Sequence, residues 1–483
     1  MTEILSIHEP VKDGGESVPD VDPALEHGIV RKLDFHILPW LFGMWFFCFL
    51  DRSNIGNAKI EGLDEDLHLT GDEFNVALTL FFVPYILVDV PSNWLVKRLK
   101  PGNYLPALTV GWGLVSTFLG FVQSYGGLVA ARVVLGIFEG GLAGGIVLYL
   151  STFYPRRQMV LRIALFYCAA PLSGAFGGLL ASGLSQIQCG GYNRWPWIFF
   201  IEGALTTVFG ISSWFFLPHS PETASFLIAE EREAASQRMI LDFHAHARHD
   251  YSRENRFNWH WVRIGILDPN TLLNALGYLA IIIPIYSFAF FLPTIINTLG
   301  YSPLISQLLT VPPNMAGFMT VLLLAALSDK VNIRGPLLIG GCLLAIIGYV
   351  MLLVGKEPTT RYGGTFFVAA GIYPCSPITL GWLANQITPH YARATAGGFQ
   401  IAVANLAAFV ATFAYLPQDA PEFRLGNFIN IGALILAIIT TGVNIAYIKW
   451  ENGKRERGER DYRLRDHGIE WLGHLHPSYR YTI

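Results

Sequence analysis

Four ionisable residues stand inside stretches that are otherwise apolar. Asp51 and Arg52 are adjacent at the end of the run Ile37-Leu38-Pro39-Trp40-Leu41-Phe42-Gly43-Met44-Trp45-Phe46-Phe47-Cys48-Phe49-Leu50. Arg132 and Glu139 lie seven residues apart in Arg132-Val133-Val134-Leu135-Gly136-Ile137-Phe138-Glu139-Gly140-Gly141. A guanidinium forks onto a carboxylate, and a carboxyl group can take or release a proton. Two arginines beside two carboxylates therefore read as a site for an anion whose movement is tied to protons. The competing readings are internal salt bridges that only fix helix packing and, for Asp51-Arg52, a cap on a helix ending at Leu50.

The elements that must hold these residues follow from composition. The chain has 483 residues, 52% hydrophobic and only 14% charged, with a mean hydropathy of +0.41. That is too little charge to cover a water-exposed surface, so the expected class is an integral membrane protein built from α-helices. A helix needs about 20 residues to cross roughly 30 Å of hydrocarbon. If the first span begins near Ile37, Asp51-Arg52 lies about two thirds of the way across. Ionisable groups there cost on the order of 2.5–3.5 kcal/mol each on insertion scales, which makes function the default reading. At 3.6 residues per turn, Arg132 and Glu139 share a face, about 10 Å apart along the axis. Gly136 and Gly140 add a small-residue face suited to close packing. Counting from the helix ends places Arg52 and Arg132 at similar height, with Glu139 nearer the midplane.

Several function classes fall away. A net charge of -3 argues against a nucleic-acid partner. Five cysteines without a CxxC spacing indicate neither a disulfide framework nor a zinc site. Residues 1–30 are polar and acidic, unlike a signal peptide. An ATP-driven pump needs GxxxxGK[ST], which is absent. No nucleophile with a base, and no His/Asp cluster, marks an enzyme.

About twelve spans are expected, near 37–57, 74–96, 104–122, 128–153, 163–186, 196–217, 270–293, 304–327, 336–354, 364–387, 394–416 and 427–448. Lysine and arginine concentrate on one side: Arg31-Lys32, Lys97-Arg98-Lys100, Arg156-Arg157, Arg162, Lys330, Arg334, Arg393 and the tail from Lys449. The positive-inside rule then places both termini in the cytoplasm. The longest polar interruption divides the chain into a tail 1–35, a six-helix bundle 36–217, a linker 218–268, a second bundle 269–448 and a tail 449–483. Two such halves are what a transporter built from repeats should show. The inner turns after spans two and eight are both short, basic and closed by Gly and Pro.

The first half holds the intramembrane charges Asp51, Arg52, Asp89, Arg132, Glu139 and Glu202, whereas the spans from Thr271 to Ile448 hold none. Expected proton-coupling residues are Asp51 and Glu139. Expected substrate contacts are Arg52 and Arg132 from the first half and the uncharged Tyr278, Tyr286, Asn314, Ser376 and Gln400 from the second. Further polar residues there are Asn297, Gln307, Tyr373, Thr379 and Asn405. Pro284, Pro293, Pro312-Pro313, Pro374 and Pro377 mark expected helix breaks along a substrate path. Asp89, Lys97, Arg98, Asp329, Lys330 and Arg393 are gate candidates at the basic inner turns. Glu202 reads as packing or capping. His244, His246 and His249 have metal-like spacing but read as a solvated loop. No metal and no cofactor are expected.

Taken in order, these stretches resemble the major facilitator superfamily, and within it the fungal allantoate permease branch of the anion:cation symporters. The resemblance runs over about 35–450. It rests on Leu50-Asp51-Arg52-Ser53-Asn54-Ile55-Gly56-Asn57-Ala58, on Asp89-Val90-Pro91-Ser92-Asn93 with Lys97-Arg98, and on Arg132 to Gly140. Also matching are Ser173-Gly174-Ala175-Phe176-Gly177-Gly178, Leu217-Pro218-His219-Ser220-Pro221-Glu222-Thr223-Ala224, Phe291 to Ile296 and Leu309-Thr310-Val311-Pro312-Pro313. The resemblance implies a twelve-helix fold of two six-helix pseudo-repeats and proton-driven uptake of small organic anions such as nicotinate, allantoate, pantothenate or biotin. It also implies that Asp51 and Arg52 match a proton-responsive acid and a coupling arginine, with Arg132 and Glu139 the linked pair on span four. Phe49 departs from the tyrosine of bacterial sugar-acid relatives, Asp89 from the branch's usual Glu, and Gly141-Leu142-Ala143-Gly144 from its usual Pro.

The expectation is a monomeric plasma-membrane importer of a small monocarboxylate, nicotinate first, working with protons by alternating access. Its partners would be the anion, protons and the lipid bilayer. Export of an organic acid or drug, or a transporter-like nutrient sensor, would use the same scaffold.

Overall fold

The computed structural model describes residues 23–99, 101–155, 158, 162, 166–187, 191, 193–247, 259–331, 333–388, 390–466 and 472–482. In the first half the helices are α1 (Pro23–Ala58), α2 (Glu73–Leu99), α3 (Pro101–Leu119), α4 (Tyr125–Glu139), α5 (Leu142–Phe153), α6 (Ala169–Leu184) and α7 (Trp195–Phe216). Between the halves lie α8 (Ala229–Ala247) and α9 (Trp259–Leu267). The second half contains α10 (Pro269–Asn297), α11 (Pro303–Leu309), α12 (Val311–Val331), α13 (Gly335–Val354), α14 (Pro358–Gln386), α15 (His390–Asn405), α16 (Ala407–Thr412) and α17 (Arg424–Glu456).

Among the described residues, 9 helical stretches are long and apolar enough to cross a membrane, with α4–α5, α11–α12 and α15–α16 each counting as one. The helices α2, α3 and α6 fill the remaining positions, which gives twelve crossings in two bundles of six. Apolar side chains such as Leu87, Phe118, Phe215, Leu323, Val354 and Phe428 are exposed, as a lipid-facing surface requires. The helix α1 starts well before the expected span limit, because Pro23 opens it and Ile29 and Leu33 bury against the bundle.

The prolines break fewer helices than expected. Both α10 and α14 run on through Pro284, Pro293, Pro374 and Pro377, since neighbouring groups in a packed bundle can take up the freed carbonyls. The breaks come instead at Thr310, just before Pro312-Pro313, and at Leu406. In the fourth crossing the break is a glycine pair. A Cβ at Gly140 would meet the Tyr85 carbonyl, and one at Gly141 would meet the Ser92 hydroxyl. The backbone of α4 therefore lies directly on α2 and ends at Glu139.

Two sides of the molecule differ. The start of α1, the described linker helices and residues 472–482 share one side, here the terminal side. On the opposite, far side the bundles meet. The Asn75 amide reaches the Thr412 and Tyr415 carbonyls, Thr79 Oγ1 lies 2.6 Å from Thr412 Oγ1, and Gln307 Nε2 donates to Glu61 Oε1 at 3.0 Å. Glycines permit the approach: Gly56 faces the Phe290 carbonyl, Gly178 faces Thr310, and Gly174 faces Asn314. On the terminal side the linker splits its allegiance. Its α8 docks on the first bundle through Lys32–Glu231 at 2.6 Å and His36 stacked on Phe226. Its α9 buries Trp261 against Leu383, Ile387, Ala392 and Ala396 of the second.

Candidate functional site

Successive residues on a helix point about 100° apart, so Asp51 and Arg52 cannot share an environment. Arg52 turns toward the space between the bundles. Its Nε donates to Glu139 Oε2 at 2.8 Å, and Cys48 Sγ lies 3.3 Å from the same oxygen. The guanidinium sits over the Tyr85 ring, 4.6 Å from its centroid, with Phe49 and Phe81 at 5.3 and 5.4 Å. Asp51 turns back into the first bundle, where Ser116 Oγ on α3 donates to Oδ1 at 3.0 Å. Arg132 lies in the same interior, within electrostatic reach of Glu139 and Asp51, while its Nε and Nη2 hold no hydrogen bond. All four are nearly sealed, at 1%, 3%, 2% and 0% exposure for Asp51, Arg52, Arg132 and Glu139. Two acids and two bases cancel in charge, which is how such a cluster becomes tolerable in a low-dielectric interior.

Arg52 bonds Glu139 directly, its side chain reaching toward α4, whose Gly136 and Gly140 lie on the α2 backbone.

Between the bundles is a cavity of about 80 Å³. Arg52, Tyr85, Trp45 and Tyr167 line it from the first half, and Tyr278, Tyr286, Tyr373, Ser376 and Asn405 from the second. Among the described residues Arg52 is its one charged lining residue. Tyr278 OH and Ser376 Oγ are 3.0 Å apart, and Tyr373 OH donates to Asn314 Oδ1 at 3.0 Å. A smaller cavity of about 30 Å³ lies toward the far side and takes Ser53, Asn57, Ser173, Thr310 and Asn314 into its wall.

Of the expected substrate contacts, Arg52, Tyr278, Tyr286 and Ser376 thus gather at the central cavity. Asn314 belongs to the smaller one. Arg132 and Gln400 line neither of the two: Arg132 faces the bundle interior, and Gln400 is 1% exposed with both amide atoms unpartnered. Among the gate candidates, Asp89 is half-buried, Lys330 is exposed, and Arg393 donates to the Ile387 carbonyl at 2.9 Å. The side chains of Lys97, Arg98 and Asp329 lie outside the described residues, as do those of His244, His246 and His249. Among the described residues no His/Cys/Asp/Glu group is arranged to hold a metal.

Other residues of the site escaped the sequence reading. Glu202, read as packing or capping, is fully buried and accepts from the Asn54 amide. Asn54 follows Asp51 by one turn, a spacing that could have marked it. Trp45, Tyr85 and Tyr167 looked like ordinary apolar-run residues, and only the packing of α1, α2 and the segment just before α6 brings them to one cavity.

A buried charged cluster lies beside a cavity between two six-helix bundles, and the similar proteins are membrane transporters rather than enzymes. The chain belongs to the Major Facilitator Superfamily, whose family model matches residues 41–412. It is 37% identical to an uncharacterized transporter of Schizosaccharomyces pombe, over 91% of this chain and 88% of that one. It is 30% identical to the high-affinity nicotinic acid transporter of Saccharomyces cerevisiae, over 91% of this chain and 81% of the relative. Among solved structures, a bacterial homologue of the human lysosomal transporter Spinster, inward-facing and unoccupied, superposes with a TM-score of 0.65 at 14% identity, covering 88% of this chain and 96% of its own.

Proposed function

We propose that this transporter carries a small organic monoanion, an aromatic monocarboxylate such as nicotinate first, together with protons. The observation that carries the reading is Arg52. Its Nε is held by Glu139 while Nη2 has no partner, and among the described residues it is the one charged side chain on a cavity otherwise lined by aromatic, aliphatic and neutral polar groups. The unpartnered Nη2 can donate to one carboxylate, and aromatic walls suit a flat body. Similarity to a nicotinic acid transporter supports that choice of substrate.

Asp51 and Glu139 exchange protons in this scheme. Protonation of Glu139 releases Arg52 for the anion, and Arg132 balances whichever acid remains charged. The energetics favour coupling: an anion entering a negative-inside cell climbs about 2.3 kcal/mol per 100 mV. One proton cancels that cost, and a second makes entry electrically downhill. The protein works as a monomer in the plasma membrane with both termini cytoplasmic, so the closed far side is extracellular and the state described is the inward one.

The test is uptake of radiolabelled nicotinate by purified protein in liposomes under an imposed proton gradient. Accumulation should vanish with uncoupler and in Asp51→Asn and Glu139→Gln. Tyr278→Phe and Ser376→Ala should raise KM about twofold to tenfold, the range of one lost hydrogen bond. Uptake indifferent to the gradient would sink the coupling, and binding without accumulation would point to a sensor.

A further inference from the structure

Glu202 is the buried acid that the cluster leaves without a base. It lies on α7 at 0% exposure. Glu139 has Arg52, and Asp51 has Ser116 and the nearby Arg132. Among the described residues, the side chain that bonds Glu202 is Asn54, through Nδ2 to Oε2, and the charged group facing it is another acid, Asp51. Lys59, on the segment after α1 that also packs on α7, is paired with Asp64 at 3.6 Å. The facing part of α3 offers Gly113 and Thr117. Arg194 is about 12 Å away along the axis, at the 1.5 Å rise per residue, where it faces Glu61.

Two atoms of this contact have no partner, Glu202 Oε1 and Asn54 Oδ1. If Glu202 were ionised, both would be buried acceptors with nothing to accept. A proton on the carboxyl supplies the missing donor. The acid then gives its O–H to Asn54 Oδ1 while Asn54 Nδ2 gives its N–H to the other carboxyl oxygen. An ionised Glu202 would instead leave the cluster of three acids and two arginines with one uncompensated charge in the bundle interior.

We propose that Glu202 is a proton-binding site of this transporter, its carboxyl protonated in this state and joined to the Asn54 amide by two reciprocal hydrogen bonds. Asn54 rides on the helix that carries Asp51. A shift of α1 against α7 separates amide from acid and releases the proton beside Asp51. That use of the proton rests on the coupled reading above, whereas its presence on Glu202 is a property of the resting protein.

Infrared spectroscopy of the full-length protein in lipid nanodiscs at neutral pH tests this, because the C=O stretch of a protonated carboxyl is separate from that of a carboxylate and moves in D2O. The wild-type band should be lost in Glu202→Gln, which keeps an amide pair with Asn54, and retained in Glu139→Gln. Asn54→Leu should shift it by removing its hydrogen bonds. Absence of the band in the wild type overturns the proposal, as does a band unchanged in Glu202→Gln or in Asn54→Leu. Wild-type uptake indifferent to the proton gradient would overturn the coupling reading and leave this band, and this site, in place.

Discussion

Arg52 Nε lies 2.8 Å from Glu139 Oε2, so the charge that faces the central cavity is balanced by an acid from the fourth crossing. Both side chains are buried, at 4% and 0% exposure. A pair in that setting is poised: each member is tolerable only while the other, or a substitute, stays in place.

Breaking the pair from one side should therefore be expensive. Glu139→Ala is expected to cost about 3–5 kcal/mol, since it leaves a buried guanidinium uncompensated. Replacing both partners, as Arg52→Met with Glu139→Leu, should recover most of that loss while abolishing transport. Thermal unfolding of the purified variants measures both. A double variant no more stable than Glu139→Ala would show that the pair is not the source of the cost.

The far side closes on glycine. A Cβ at Gly178 would run into Thr310 and stand 2.5 Å from the Gln307 carbonyl. Gly178→Val should thus raise the energy of the closed arrangement by about 1–3 kcal/mol, the usual range for overpacking. Every 1.4 kcal/mol is tenfold in population, so labelling of Asn57→Cys by a membrane-impermeant thiol reagent should quicken about tenfold in this background. Unchanged labelling would mean that the α6–α11 contact does not set the closure.

Acid should loosen the linker. Glu231 is bonded by Lys32, which holds its carboxyl below the usual carboxylate range. A lowered folded value means the stabilisation is complete above the unfolded value of about 4.3. It is lost as pH falls through the lower folded one. Lys32 is 42% exposed, so solvent screening keeps the gain to about 0–1 kcal/mol. Protection factors of the α8 amides, corrected for the intrinsic pH dependence of exchange, should fall modestly below about pH 4 relative to pH 7. In Glu231→Gln that fall should disappear; an equal fall there would place its origin elsewhere.

Much of this molecule was legible along the chain. Low charge and long apolar runs leave a membrane bundle as the way to satisfy the backbone. The isolation of Asp51, Arg52, Arg132 and Glu139 in apolar surroundings marked the charged cluster, because buried charges must find partners. Which partner each one takes was a different matter. Arg52 meets Glu139 while Arg132 turns from the cavity, an arrangement that depends on Gly136 and Gly140 letting α4 lie directly on α2. Glu202 joined the cluster only when α7 packed beside α1. Local spacing fixes the face of one helix, while the height and rotation of one helix against another depend on contacts far apart in the chain.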